Sequence, residues 1–268
     1  LWVFRKNIKR VLLTIGLIFL TVVLIKGPVM NTAGIEQPDF VESLCVPLQQ
    51  VARVLVDGKE LTASEKELID NVIDTTYIKE LYAADFADNI KELVRAGNPE
   101  YLESHKFEYF KLWAGLGLRY PGVYVMAWTD LTKGFWYPDV ESEVAMIDGI
   151  MANDYGLVAS PILRGKIVVK AKEIFLKLGN MIPLYGLLWS AGTYLWILCI
   201  CLMVIGNSAY KGDRGKDMIL MIPFIGIELT LFIATPVTDF RYVYSIVLAI
   251  PLIISVVTRG ISDKAPEK

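Results

Sequence analysis

The sequence predicts an all-α membrane protein: four transmembrane helices plus a mainly helical external domain. Three observations carry that prediction. Apolar residues make up 54% of the 268 positions and the mean hydropathy is +0.45, above the ~45–50% apolar fraction of ordinary soluble domains. The excess is gathered into four long runs instead of being spread through the chain. The residues between the first two runs show helical periodicity and capping signals, with no run of alternating strand residues.

The spans are set by length, because a bilayer core of roughly 30 Å takes about 20 mainly apolar helical residues. The first span is expected at 11–26, after a basic segment at 1–10 that holds Arg5, Lys6, Lys9 and Arg10. The following Asn31-Thr32-Ala33-Gly34 also fits the cleavage site of a signal peptide, but the later spans favour a retained helix. The second is expected at 181–206, where Trp189 and Trp196 fit the aromatic enrichment near membrane interfaces. The third, at 218–235, carries Glu228 in its apolar middle, and the fourth, at 242–258, contains Pro251. A proline is tolerated in such a helix when neighbours satisfy the freed carbonyl. Residue 1 is leucine, and the opening Trp2-Val3-Phe4-Arg5-Lys6 reads as a cut within a longer protein.

Charge sets the expected orientation. Basic clusters lie before span one, in the loop 207–217 (Lys211, Arg214, Lys216) and in the tail 259–268 (Arg259, Lys264, Lys268). With four spans all three clusters share a side, which the positive-inside rule makes cytoplasmic. The domain 27–180 and the turn 236–241 are then external. Lys166, Lys170, Lys172 and Lys177 oppose this assignment, but long domains translocate largely regardless of charge. Phe110–Thr129 is apolar in patches but holds Lys111, Arg119 and the break Tyr120-Pro121-Gly122. A central charge costs ~2.5–3.5 kcal/mol on insertion, so two helices packed in the domain or lying on the membrane surface are expected there.

Within the domain, Phe40, Leu44, Leu48, Val51 and Leu55 recur at helical spacing, with Pro47 marking a kink or a late start. Asp57-Gly58 marks a turn, and Thr62-Ala63-Ser64-Glu65 reads as a capping box. Asp85 or Asp88 is expected to cap a helix ending at Gly97. Asn98-Pro99 starts the next helix, and another is expected over Pro161–Leu178, leading to the membrane. Cys45, Cys199 and Cys201 form no disulfide framework or zinc pattern. The net charge of −2 points to no nucleic-acid partner.

No nucleotide, zinc-protease or serine-hydrolase motif is present, so no cofactor and no metal are expected. The polar candidates are few. Glu228 sits mid-membrane, where an ionisable group is a functional hypothesis by default; a hydrogen-bonded structural acid is the alternative. Asp239, Arg241 and Tyr242 lie in the external turn, where Arg241 could hold an anionic lipid phosphate with Asp239 orienting it; an interface anchor and helix cap is the alternative. Gln49, Gln50 and Arg53 share a helical neighbourhood and line either a cleft against the membrane or a solvated face. Asp85, Asp88 and Asn89 offer oxygen ligands, though their spacing suits capping better. His105, the single histidine, is expected to be exposed. Tyr101, Tyr109, Trp113, Tyr120, Tyr124, Trp128, Phe135, Trp136, Tyr137 and Tyr155 serve either core and interface packing or a sugar- or lipid-facing surface.

Three stretches carry a resemblance: Ser43-Leu44-Cys45-Val46-Pro47-Leu48-Gln49-Gln50-Val51-Ala52-Arg53, Gly134-Phe135-Trp136-Tyr137-Pro138, and Phe240-Arg241-Tyr242-Val243-Tyr244 before Pro251. Together they resemble the C-terminal half of uncharacterised multi-pass bacterial envelope proteins, similar in layout to GT-C-fold membrane glycosyltransferases. The resemblance implies a polyprenyl-phosphate-linked sugar as donor, an envelope acceptor, and a catalytic carboxylate in an early external loop upstream of Leu1. Arg241 would meet the carrier phosphate. The alternative expectation is a non-enzymatic transport or scaffold component of envelope polysaccharide export, with Glu228 as a relay or as a group pairing with partner membrane helices.

Overall fold

The computed structural model describes residues 7–35, 39–138, 153–157 and 165–262. Among the described residues every regular element is helical, and extended pairing is limited to isolated bridges of Phe86 with Ala83 and with Val237.

Helix α1 (Ile8–Leu24) continues through a π-helical turn at Ile25–Val29, which contains Pro28, into α2 (Met30–Thr32). A 3-10 turn at Phe40–Leu44 then leads into α3 (Cys45–Val56). Pro47 falls in the first turn of α3, where its missing N–H has no helical acceptor to disappoint, so it marks the late start and no kink. Gly58 ends the hairpin after α3 at φ +63°, a left-handed conformation that a side chain rarely adopts. Helix α4 (Ala63–Val72) opens on the capping box: the Thr62 hydroxyl accepts from Glu65 N–H, and the Glu65 carboxylate accepts from Thr62 N–H at 2.8 Å. The short α5 (Ile78–Leu81) precedes α6 (Asp88–Ala96).

Helix α6 corrects one expectation. Its N-cap is Ala87 and no side chain caps it; Asp88 is already helical and pairs with Lys91 at 2.6 Å. Gly97 ends the helix. An added Cβ would stand 3.1 Å from Val72 O and Asp74 N, and the close approach of α4 and α6 sets the residue. Asn98 caps α7 (Pro99–Ser104) by accepting from Tyr101 N–H at 2.9 Å.

The apolar patch around 110–129 forms two helices, α8 (Lys106–Arg119) and α9 (Pro121–Trp136), separated at Tyr120-Pro121. Both pack into the domain: Tyr109, Leu112, Leu116, Val123 and Tyr124 join Leu48, Val51, Ile69, Ile90 and Leu102 in one core. Each fully buried aliphatic side chain there stabilises the fold by ~1.5–3 kcal/mol.

After α10 (Lys166–Met181) the stretch anticipated as one continuous span over 181–206 comes in pieces. Pro183 pushes Ile182 into an extended conformation (φ −114°, ψ 106°) before α11 (Pro183–Leu187), and Ser190 is extended again before α12 (Ala191–Gly206). With 16 residues, α12 is ~24 Å long against a bilayer core of roughly 30 Å. Helices α13 (Arg214–Ala234) and α14 (Tyr244–Ser262) follow, carrying Pro223 and Pro251, with a 3-10 turn at Phe240–Val243 feeding α14. Three helical stretches among the described residues are long and apolar enough to cross a membrane: Ile8–Thr32 with 25 residues, Arg214–Ala234 with 21 and Phe240–Ser262 with 23.

Helices α12, α13 and α14 pack together around Leu198, Ile205, Met221, Ile246, Ile250 and Ile253. Helix α9 belongs to both cores: Val123 and Tyr124 lie in the domain core, while Phe135 at its other end lies in the bundle core. Helix α1 buries none of its residues, and beyond Lys9 and Arg10 in its first turn it carries no charge, as suits a lipid-exposed helix.

Candidate functional site

The glutamines of α3 are neither a solvated face nor a cleft. Gln49 is fully buried and donates through Nε2 to Ala83 O at 2.5 Å, while its Oε1 has no partner. Gln50 donates to Tyr124 O at 3.2 Å and accepts from Trp113 Nε1 at 2.8 Å, tying α3 to α8 and α9. Arg53 pairs with Asp57 at 3.0 Å and Asp130 at 3.2 Å and stands over the Tyr82 ring at 6.0 Å. Gln49 ties α3 to the loop after α5, and Gln50 and Arg53 tie it to α8 and α9, because buried polar groups take protein partners in place of water.

The aromatic residues also pack. Tyr109 is fully buried, and burial pushes its phenol well above the ordinary range. The Tyr124 hydroxyl donates to Trp113 O at 2.7 Å and the Tyr120 hydroxyl to Glu60 O at 2.8 Å. Trp128 donates to Phe232 O at 2.8 Å and stands edge-on to the Phe232 ring at 6.1 Å. Trp136, a candidate ligand-facing ring, donates to Thr132 Oγ1 at 3.3 Å, and its carbonyl accepts from Trp196 Nε1 at 2.9 Å, so it splices α9 to α12. His105 is half-buried, not exposed: its ring stacks on Tyr101 with centroids 4.0 Å apart at the junction of α7 and α8. Asn89 donates to Leu81 O at 2.8 Å, and among the described residues no group of three or more metal-ligating side chains gathers.

Sequence reasoning missed an ion network that clamps the Phe40–Leu44 turn to α6. Lys91 is 4% exposed and meets both Glu42 and Asp88 at 2.6 Å. Arg95 pairs with Asp39, Glu42 and Glu92. The Lys91 and Arg95 contacts outweigh burial and hold the Glu42 carboxyl below the usual carboxylate range. Burial raises the neighbouring Cys45 thiol to about 11. Also missed was the joint between domain and bundle. Ala87 N–H donates to Pro236 O at 2.7 Å, Thr238 Oγ1 to Leu131 O at 3.4 Å, and Gly134 leaves the room that Thr238 fills. A lysine next to an apolar stripe looks like any solvated lysine, and the joint's partners lie more than a hundred residues apart in sequence.

The 239–242 corner does assemble. Asp239 accepts from Arg241 N–H at 2.9 Å and pairs with its guanidinium at 3.0 Å. Arg241 donates to the Tyr242 hydroxyl at 3.2 Å and lies over the Tyr242 ring at 5.0 Å, with its side chain 69% exposed. Nearby, the Phe240 ring is 6.0 Å from Trp189 and 5.7 Å from Tyr194, and Trp189 stands edge-on to Tyr185 at 5.9 Å. This collects aromatic rings at one end of the bundle, as at a membrane–water interface. Among the described residues no hydrogen bond or ion pair links Gln49, Gln50 or Arg53 to this corner. Glu228 is separate as well: it is 2% exposed within the bundle, and among the described residues neither carboxylate oxygen has a hydrogen-bond partner.

Among the described residues, helices throughout, three of them long and apolar enough to cross a membrane, with an aromatic cluster at one end of the bundle and a helical domain joined to that end, define a membrane protein. The chain belongs to the Family of unknown function (DUF6020), which matches residues 1–267. No curated protein and no solved structure matches it.

Proposed function

We propose that this protein acts in a bacterial cell membrane as a GT-C-like glycosyltransferase component that uses a polyprenyl-phosphate-linked sugar to modify an envelope glycan. The observation that carries the reading is Arg241: an exposed guanidinium, oriented by Asp239 and Tyr242, at the head of a membrane helix beside aromatic rings. A cation at headgroup depth suits a lipid-linked phosphate. In the reaction an acceptor hydroxyl oxygen attacks the anomeric carbon and its proton passes to a carboxylate base. The bond from that carbon to the phosphate oxygen breaks, with the electron pair leaving on the carrier phosphate. Arg241 stabilises that growing charge. In this reading α11 and α12 together make a fourth crossing, so that the basic clusters face the cytoplasm, with 27–180 outside and the termini inside.

The test is binding of a polyprenyl monophosphate to the protein in nanodiscs, followed by native mass spectrometry. A charge-assisted hydrogen bond is worth about 1.5–3 kcal/mol, so Arg241→Ala should weaken binding by roughly 10- to 150-fold, with Arg241→Lys recovering part. Unchanged binding, or envelope glycan assembly unaffected by Arg241→Ala in cells, refutes the role.

Glu228 favours a second reading, a non-enzymatic transport component in which this buried, unpartnered acid relays a proton or a substrate. Glu228→Gln would then abolish coupled transport while leaving polyprenyl phosphate binding intact. A transferase would lose little by the same change.

A further inference from the structure

Among the described residues, helix α10 (Lys166–Met181) has no partner for its apolar side. Ile167 is 85% exposed, Phe175 53%, Ile174 50% and Met181 76%, and none of its described side chains is buried. At ~100° per residue, Ile167, Ile174, Phe175 and Leu178 fall within an arc of about 100°, the width of one apolar helix face. Lys166, Lys170 and Lys177 fall within about 40° of one another at the edge of that arc. All three are exposed, and among the described residues none forms an ion pair. An apolar stripe bordered by lysines, whose stems lie along the acyl boundary while the ammonium groups reach the headgroups, is the pattern of a helix lying in a membrane interface.

Position supplies the second argument. Helix α10 runs directly into α11 and then α12, and Tyr185 and Trp189 between them belong to the aromatic cluster around Phe240. The helix therefore leaves the bundle at the level where tyrosine and tryptophan mark the membrane–water boundary.

We propose that α10 lies in the plane of the membrane at the end of the bundle that bears Arg241, with Ile167, Ile174, Phe175 and Leu178 among the acyl chains and Lys166, Lys170 and Lys177 on anionic lipid headgroups. The inference does not depend on Arg241 binding a carrier. It gives three of the four lysines that oppose the charge-based orientation a physical role at the surface they flank.

The experiment uses the full chain with Cys45, Cys199 and Cys201 replaced by alanine. Nitroxides placed by Ile174→Cys, Phe175→Cys and Lys170→Cys are read in nanodiscs of mixed phosphatidylglycerol and phosphatidylcholine. Labels at 174 and 175 should be accessible to oxygen and shielded from a water-soluble nickel chelate, and the label at 170 should show the reverse. Nickel access at 174 and 175 equal to that at 170 means the helix stands in water, and shielding of 174 and 175 from both reagents means it packs on protein; either overturns the proposal. Enrichment of a fluorescent phosphatidylglycerol over phosphatidylcholine around the protein reads the headgroup contact. Each lysine near the surface is worth about a fivefold preference, so the Lys166→Gln, Lys170→Gln, Lys177→Gln triple variant should lose most of that enrichment. Retained enrichment overturns the assignment of the lysines to anionic headgroups.

Discussion

Replacing Gln50 with leucine separates a structural glutamine from a binding one. The substitution keeps the volume and removes two hydrogen bonds, from Trp113 Nε1 at 2.8 Å and to Tyr124 O at 3.2 Å. The indole N–H of a half-buried tryptophan is left without its acceptor, at a cost of about 1–3 kcal/mol. The Tyr124 carbonyl keeps its helical partner, so its loss is the smaller ~0.5–1 kcal/mol of an ordinary hydrogen bond. Leucine in a site that leaves Gln50 only 8% exposed returns a few tenths. The net is about 1–3.5 kcal/mol, or a fall in Tm of roughly 2–14 °C for a chain of this size. Thermal unfolding in detergent, followed by tryptophan fluorescence, measures it. A Tm within 1 °C of the wild type, with altered binding of a polyprenyl monophosphate, would refute the reasoning and return Gln50 to a cleft.

Gly192→Ala tests the joint between α9 and α12: the new Cβ would stand 2.8 Å from the Tyr137 carbonyl carbon, and backbone cannot swing away. Overpacking of this kind costs ~1–3 kcal/mol, and the Trp196 Nε1 to Trp136 O bond should weaken, seen as a lower Tm and a shifted tryptophan emission. Glu42→Gln tests the hidden ion network by pH. Contacts with Lys91 and Arg95 depress the folded pKa of Glu42, so its contribution is complete above the usual carboxylate range and is lost as pH falls through the folded value. The Tm gap between wild type and Glu42→Gln should therefore be widest near neutral pH and close on acidification; a gap that widens toward acid would contradict the assignment.

Much of the architecture was legible because it depends on local rules. The Thr62–Glu65 box, the Asn98-Pro99 start, the turn at Gly58 and the split of 110–129 between two helices each follow from neighbouring residues and appear as read. The Asp239–Arg241–Tyr242 corner was legible for the same reason, since its partners are adjacent in sequence. Reading failed where a distant partner decided the outcome. Nothing local says that Gln49 faces Ala83 or that Lys91 is buried between Glu42 and Asp88.

The sequence by itself determined that the chain is helical and apolar enough for a membrane, because composition, period and capping act within a few residues. Only the tertiary structure decided which polar residues are consumed by packing and which remain available. Gln50 and Arg53 are engaged inside the helical domain, while Arg241 stays 69% exposed on its side chain and Glu228 stays buried without a partner. That division depends on which helices meet, and helix meetings are set by summed burial across the whole chain, which no single segment encodes.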